Sequence, residues 1–443
     1  MKIQLSDHFT YQRLLHFCLP SIVMMIFTSI YGVVDGLFVS NFVGKIPFAA
    51  INLVMPFIMI LGGFGFMIGT GGSALIAKTL GEGRHKLANR YFSMLIIMTV
   101  ILGFFLTTIG IVFARRVSIL LGATDVMLDD CVIYLRTVLL FISPFMLQNV
   151  FQSFLVTAQK PHAGLIVTII AGLTNMSLDA LFIVVFRWGV AGAALATGIS
   201  QCIGGLLPLI LFLGKNDSLL HLVPTRLEWR PFFLSCTNGM SELMGNISSS
   251  IVSMLYNFQL LNYAGENGIA AYGVLMYVQF IFIAVFFGYT IGVGPVIGYH
   301  YGAGNHAELK NLLRKSLKLN IITGISMTIL ANLFAGALSR IFVGYDPELY
   351  AMTKSAFHIF ALSFLVCGIN IFASAFFTAL NNGLVSAVIS FLRTLVFQVG
   401  SVLILPAFLG LTGIWLSNTF ADLMAMLISI IFLAAMRKRY HYA

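Results

Sequence analysis

Charge is scarce in this sequence. Only 9% of its 443 residues are Asp, Glu, Lys or Arg, against roughly 25% in an ordinary soluble domain. With 59% hydrophobic residues, that scarcity excludes a water-soluble globule. Cysteine is scarce as well. The five (Cys18, Cys131, Cys202, Cys236, Cys367) are scattered and form no CxxC pair, so neither a disulfide framework nor a zinc site is indicated. Catalytic signatures are missing too: there is no Walker A lysine with its Ser or Thr, no HExxH and no nucleophile elbow. ATP hydrolysis, enzymatic chemistry and a bound cofactor are therefore not expected. Nor is a cleavable signal, because the first apolar run, from Leu14, is too long for one.

What the chain has is apolar length. Runs of about 20 residues recur throughout, each enough to cross a bilayer. The pattern predicts an all-α polytopic membrane protein with twelve transmembrane helices, near 14–41, 50–77, 91–114, 132–157, 162–186, 190–213, 232–262, 271–300, 317–343, 351–380, 385–408 and 411–436. Pro20, Pro56, Pro144, Pro208 and Pro295 fall inside spans and are candidate kinks. The net charge of +10 sits mainly in short loops, which argues for a membrane and not for nucleic acid. Seventeen Lys and Arg lie in the termini and even-numbered loops, against six in the odd-numbered loops. The positive-inside rule then places both termini in the cytoplasm, in an inner (plasma) membrane.

The chain also repeats itself. At a constant offset of 221, FAAINLVMPF (48–57) meets IAAYGVLMYV (269–278), LGEGRH (80–85) meets YGAGNH (301–306), and GVAGAALAT (189–197) meets GLTGIWLSN (410–418). Gly71, Gly81 and His85 thus match Gly292, Gly302 and His306. Two halves of six spans each enter the membrane from the same side. They are parallel repeats about an axis along the membrane normal, an architecture found in secondary transporters. The expected division is an N-lobe at 1–213, a cytoplasmic linker at 214–230 and a C-lobe at 231–443. His85 and His306 follow matching Gly-x-Gly turns and read as turn residues. The cluster GGFGFMIGTGGS (62–73) lies within a span and reads as close helix packing.

Of fifteen acids, four fall inside spans: Asp35, Asp179, Glu242 and Asp422. A carboxylate in hydrocarbon costs at least about 2.5 kcal/mol, so each needs a reason. Asp35 and Asp179 each sit roughly 10 Å below the outer surface. Asn175 lies one turn below Asp179 on the same face. Thr197 is as far past the turn at Trp188 as Asp179 is before it. Two carboxylates, an amide and a hydroxyl thus converge at one depth. That oxygen set suits Na⁺, and two adjacent acids equally suit a proton carrier. The alternative is that each satisfies neighbouring groups and only holds helices together. Glu242, near mid-membrane, would attract a cationic substrate or carry a proton, or else pair with Arg393 or cap a broken helix. Tyr256, Asn257 and Asn370 are polar positions expected to line the substrate cavity, and Asp422 reads as structural or as lying near a lipid-facing edge.

The motifs VVDGLFVSNFVG in the first span, TNMSLDALFI in the fifth and GVAGAALAT in the sixth resemble those of the multidrug and toxic compound extrusion (MATE) family, in its bacterial efflux branch. The resemblance covers essentially the whole chain. It implies a secondary active antiporter in which Na⁺ or H⁺ enters while a lipophilic, often cationic drug leaves. It also implies that Asp35, Asn175, Asp179 and Thr197 form the N-lobe cation site, and that Glu242 matches an acid some members use. Some of those members also carry an Asp in the tenth span. The stretch CGINIFASAFFTAL (367–380) has none, which favours coupling through the N-lobe. The expected partners are small-molecule drugs or organic cations and membrane lipid, with a monomeric chain. Two alternatives stay open: a lipid-linked precursor flippase of the same superfamily, and a non-transporting membrane sensor or receptor.

Overall fold

A bilayer offers the backbone no hydrogen-bond partners, so an apolar chain within it folds as helices. A computed structural model describes residues 3–214 and 217–442, with Lys45 by its backbone alone. Lys2 and Lys215, counted above among the basic residues, lie outside the described residues, as do residues 1, 216 and 443. The described residues form fifteen α-helices and no strand. The first half holds α1 (Tyr11–Phe42), α2 (Lys45–Gly81), α3 (His85–Leu120), α4 (Asp125–Leu139), α5 (Ile142–Thr157), α6 (Pro161–Asp179) and α7 (Gly189–Leu213). The second holds α8 (Trp229–Asn238), α9 (Met240–Gly302), α10 (His306–Val343), α11 (Pro347–Phe360), α12 (Phe364–Ala379), α13 (Gly383–Phe391), α14 (Gln398–Leu409) and α15 (Leu411–Tyr440).

These helices make twelve spans. Ten are long and apolar enough to cross a membrane, and α4 with α5, bent by 57°, makes another. The 63 residues of α9 would be about 95 Å long as one rod, three bilayers' worth. The chain turns back within it at Gly265, whose φ of 62° and ψ of −151° only glycine adopts easily. Tyr256 and Tyr272, on either side of that turn, stack at 4.8 Å. Of the expected kink positions, Pro144 lies beside the sharp bend between α4 and α5. Pro20, Pro56, Pro208 and Pro295 sit inside helices that continue past them.

Each half has its own core. Val54, Tyr134, Leu135 and Ala193 belong to one in the N-lobe, and Tyr256, Leu275, Phe364 and Trp415 to one in the C-lobe. The lobes meet where α1 and α2 pack on α9, at the end that carries the termini. The contact is reciprocal. A Cβ on Gly81 would collide with the Tyr299 carbonyl, and one on Gly302 with the Lys78 carbonyl. Gly81 and Gly302 are repeat mates at the offset of 221, and so are Lys78 and Tyr299. The repeat is therefore a pseudo-twofold axis through the lobe interface. The N-terminal segment adds to this closed end: Glu308 accepts from the Phe9 amide at 2.9 Å and pairs with His8 at 2.6 Å. Toward the opposite end, a Cβ on Gly32, Gly36 or Gly273 would meet nothing within 4 Å.

Candidate functional site

The N-lobe brings together the four residues singled out by depth and spacing. Asn175 and Asp179 lie one turn apart on α6, with 2% and 0% exposure. The helix then passes into a π-helical segment, Ala180–Val185. Asp35 projects from α1, which packs along α6, and Thr197 from α7. The carboxylates of Asp35 and Asp179 face each other, and Asn175 reaches Asp35. Yet these approaches do not close as hydrogen bonds. Both Asp179 oxygens, Asp35 Oδ1, Asn175 Oδ1 and Thr197 Oγ1 are buried without a partner in the protein. Thr197 in particular does not bond back to its own helix. Neither acid has a Lys or Arg ion partner among the described residues. Unsatisfied buried acceptors cost about 1–3 kcal/mol each, more when charged, so five at one place are an arrangement that a cation or protons would relieve. Hard oxygen donors of these types fit Na⁺. They lack the imidazole and thiolate donors that select Zn, Cu or Fe, and no group of three His, Cys, Asp or Glu converges among the described residues.

Further polar groups stand around this cluster. The Tyr134 phenol of α4 reaches Thr197 and lies beside both carboxylates. Tyr31, one turn before Asp35, reaches Gln148 of α5. Gln148, Gln152 and Gln201 each bury an amide oxygen without a partner. Sequence reasoning passed over all of these because it ranked acids first. The signal was present in LQNVFQSF (147–154), where amides recur one turn apart inside an apolar span.

Glu242 occupies different ground. It lines a cavity of about 210 Å³ between the lobes, with Met25, Phe66 and Thr70 on one side and Asn246 and Phe287 on the other. Among the described residues its carboxylate makes no hydrogen bond or ion pair. The alternative of pairing with Arg393 is corrected: Arg393 Nε instead binds Asp422 Oδ1 at 2.8 Å. Asp422 is 1% exposed, so it is an interior structural acid and not a lipid-edge one. None of Tyr256, Asn257 and Asn370, expected to line the substrate cavity, lines this one. Asn370 is wholly buried and committed, donating to the Asp422 carbonyl at 2.8 Å and accepting from Ser429 at 3.2 Å. Tyr256 is buried at 2% against Tyr272. Asn257, the next residue around the helix, is exposed.

Comparison with known proteins fits this geometry. The MatE family model matches twice, at residues 20–181 and 243–404, once in each half. The chain is 25% identical over 436 residues to the multidrug export protein MepA of Staphylococcus haemolyticus, covering 97% of this chain and 94% of the relative. It is 24% identical over 442 residues to MepA of Staphylococcus aureus strain NCTC 8325, with the same coverage. Among solved structures, MATE in complex with MaL6 superposes with a TM-score of 0.93 at 21% identity, over 98% of both chains. An outward-facing multidrug resistance MATE family transporter of the MOP superfamily gives 0.92 at 21% identity, also over 98% of both. The fold, the doubled match and the first-, fifth- and sixth-span motifs agree: this chain belongs to the MatE family.

Proposed function

We propose that the protein is a secondary active multidrug exporter, exchanging Na⁺ or H⁺ for lipophilic, often cationic compounds by alternating access. The observation that carries this is the set of five partnerless buried oxygens on Asp35, Asn175, Asp179 and Thr197. Cation or proton occupancy would satisfy them, and release would expose their repulsion, so occupancy biases how α1 packs against α6 and α7. A site whose loaded and unloaded states favour different helix arrangements is what coupling requires. Among the described residues Glu242 is the one carboxylate lining the interlobe cavity, and it would hold a cationic drug against the surrounding Met and Phe side chains. The names of the staphylococcal relatives support multidrug export.

The charge asymmetry of the loops supports an inner-membrane protein with cytoplasmic termini. In that orientation the close glycine contacts between the lobes lie on the cytoplasmic side, which supports an outward-facing reading. We take 1–213 and 231–443 as the rocking lobes, with 214–230 as the linker that lets them move. A monomer in membrane lipid suffices, since both the cavity and the oxygen cluster lie within one chain. The flippase reading loses its central cation, because Arg393 is engaged by Asp422.

The test is ethidium efflux from proteoliposomes under an inward Na⁺ gradient or an inward H⁺ gradient, imposed separately. Efflux driven by one gradient and lost in Asp179→Asn names the ion and supports the site. No efflux under either, with folded protein, sinks the drug-antiport reading and moves the search to lipid-linked substrates.

A further inference from the structure

Both lobes interrupt their fifth span with a six-residue π-helical segment: Ala180–Val185 directly after Asp179, and Leu392–Phe397, which contains Arg393. Such turns inside helices frequently mark functional positions. The offset of 221 then sets the two polar interiors side by side. Asp35 corresponds to Tyr256, Thr197 to Asn418, Gln201 to Asp422 and Asn149 to Asn370. In the N-lobe two acids stand without a cation. In the C-lobe one acid stands with a guanidinium 2.8 Å away, the Arg393 side chain 14% exposed and that of Asp422 1%. The amides around it are closed as well: Gln398 donates to Asn418 at 2.6 Å, and Asn370 bonds both Asp422 and Ser429.

We propose that Arg393 is a tethered cation, doing for the buried C-lobe acid Asp422 what the mobile coupling cation does for the N-lobe acids, though not at the same repeat position, since Arg393 matches Gly172, Asp422 matches Gln201 and Asp179 matches Gly400. A buried carboxylate is tolerated only when compensated. For Asp422 the compensation is covalently attached, so that buried pair keeps the same charge throughout the cycle. In the N-lobe it comes and goes, so the ion gradient does its work on that lobe alone. The inference rests on the proposed N-lobe coupling site for its mechanism, but it makes a separate prediction. Removing the guanidinium should turn Asp422 into a second cation site.

The experiment counts cations bound per chain in purified, folded protein, using radioactive sodium for Na⁺ and the infrared band of a protonated carboxyl for H⁺. Arg393→Met is expected to hold one more cation than the wild type. The gain should vanish in Arg393→Met/Asp422→Asn. A folded Arg393→Met that binds the wild-type number overturns the proposal. If the single variant does not fold, the double variant decides. Replacing a buried ion pair by neutral groups is often close to neutral, so the double should keep gradient-driven efflux within about twofold of wild type and leave the ion-to-drug stoichiometry unchanged. Lost efflux or a changed stoichiometry in the folded double overturns the proposal. Failure of the N-lobe reading is seen elsewhere, as unchanged cation binding in Asp179→Asn, and leaves the gain at Asp422 readable by itself.

Discussion

In the N-lobe, Asp35 and Asp179 face each other with no basic side chain on either. In the C-lobe, the one fully buried acid of the spans, Asp422, holds Arg393 at 2.8 Å. The backbone plan is nearly the same on the two sides, down to the reciprocal packing of Gly81 and Gly302, and each fifth span carries a π-helical break, although Leu392–Phe397 starts nine residues before the repeat position of Ala180–Val185. The difference lies in charge balance. A duplicated scaffold supplies two equivalent interiors, and electrostatics can be left open in one and closed in the other without disturbing the interface between them. Asymmetry of this kind lets one half respond to an ion while the other stays fixed.

The strongest test of that contrast removes the N-lobe charge. Asp179→Asn, or Asp35→Asn, should cut gradient-driven efflux roughly 100-fold, the scale of losing a site–site coupling of about 3 kcal/mol. Membrane insertion should survive, because an uncharged side chain is easier to bury. Wild-type transport rates in either variant, measured in proteoliposomes, would remove the coupling role. A smaller effect is expected at Glu242, the C-lobe acid that faces the cavity. Glu242→Gln should weaken a monovalent cationic drug by about tenfold, roughly 1.4 kcal/mol, and a neutral drug of similar shape by less than about twofold. Equal losses for the two, measured by binding to the purified protein, would show that Glu242 does not read substrate charge.

The parts of this contrast that the sequence reveals are those set by distance along one helix or across one hairpin. Asp179, Asn175 and Thr197 could be placed at one depth because α6 and α7 are joined by a short turn at Trp188, and depth follows from counting residues. The twelve spans and the repeat were legible for the same reason. Rotation of one helix relative to a distant one is not written in spacing. Arg393 and Asp422 sit on different spans, and the π-helical segment Leu392–Phe397 shifts the face on which Arg393 emerges. Composition equally permitted it to point at Glu242. Asn370 looked like a cavity residue because it was polar in an apolar span; its amide is spent on Asp422 and Ser429. Tyr134 was missed because acids were ranked first, although helical periodicity puts it on the buried stripe of α4 with Leu128, Cys131, Leu135 and Val138.

A matched pair of tyrosine variants sharpens the comparison at its finest scale. Tyr134→Phe removes a hydroxyl that reaches Thr197 beside the open N-lobe cluster. That hydroxyl stands beside the cluster without closing a hydrogen bond on it; drawn onto the loaded site, one hydrogen bond of about 1 kcal/mol is worth roughly fivefold, so the coupling-ion concentration for half-maximal efflux should rise by about that factor. Tyr256→Phe removes the hydroxyl at the repeat position of Asp35, in the closed C-lobe. That oxygen is buried and has no partner, while the ring is held by stacking on Tyr272 at 4.8 Å. Deleting an unsatisfied buried hydroxyl relieves desolvation and leaves the stacking intact, so thermal stability should hold or rise slightly. Half-maximal ion concentration and drug affinity should stay within about twofold. If Tyr256→Phe instead raises the ion requirement as much as Tyr134→Phe does, the C-lobe hydroxyl senses the ion too, and charge closure by Arg393 does not isolate that lobe from the coupling reaction.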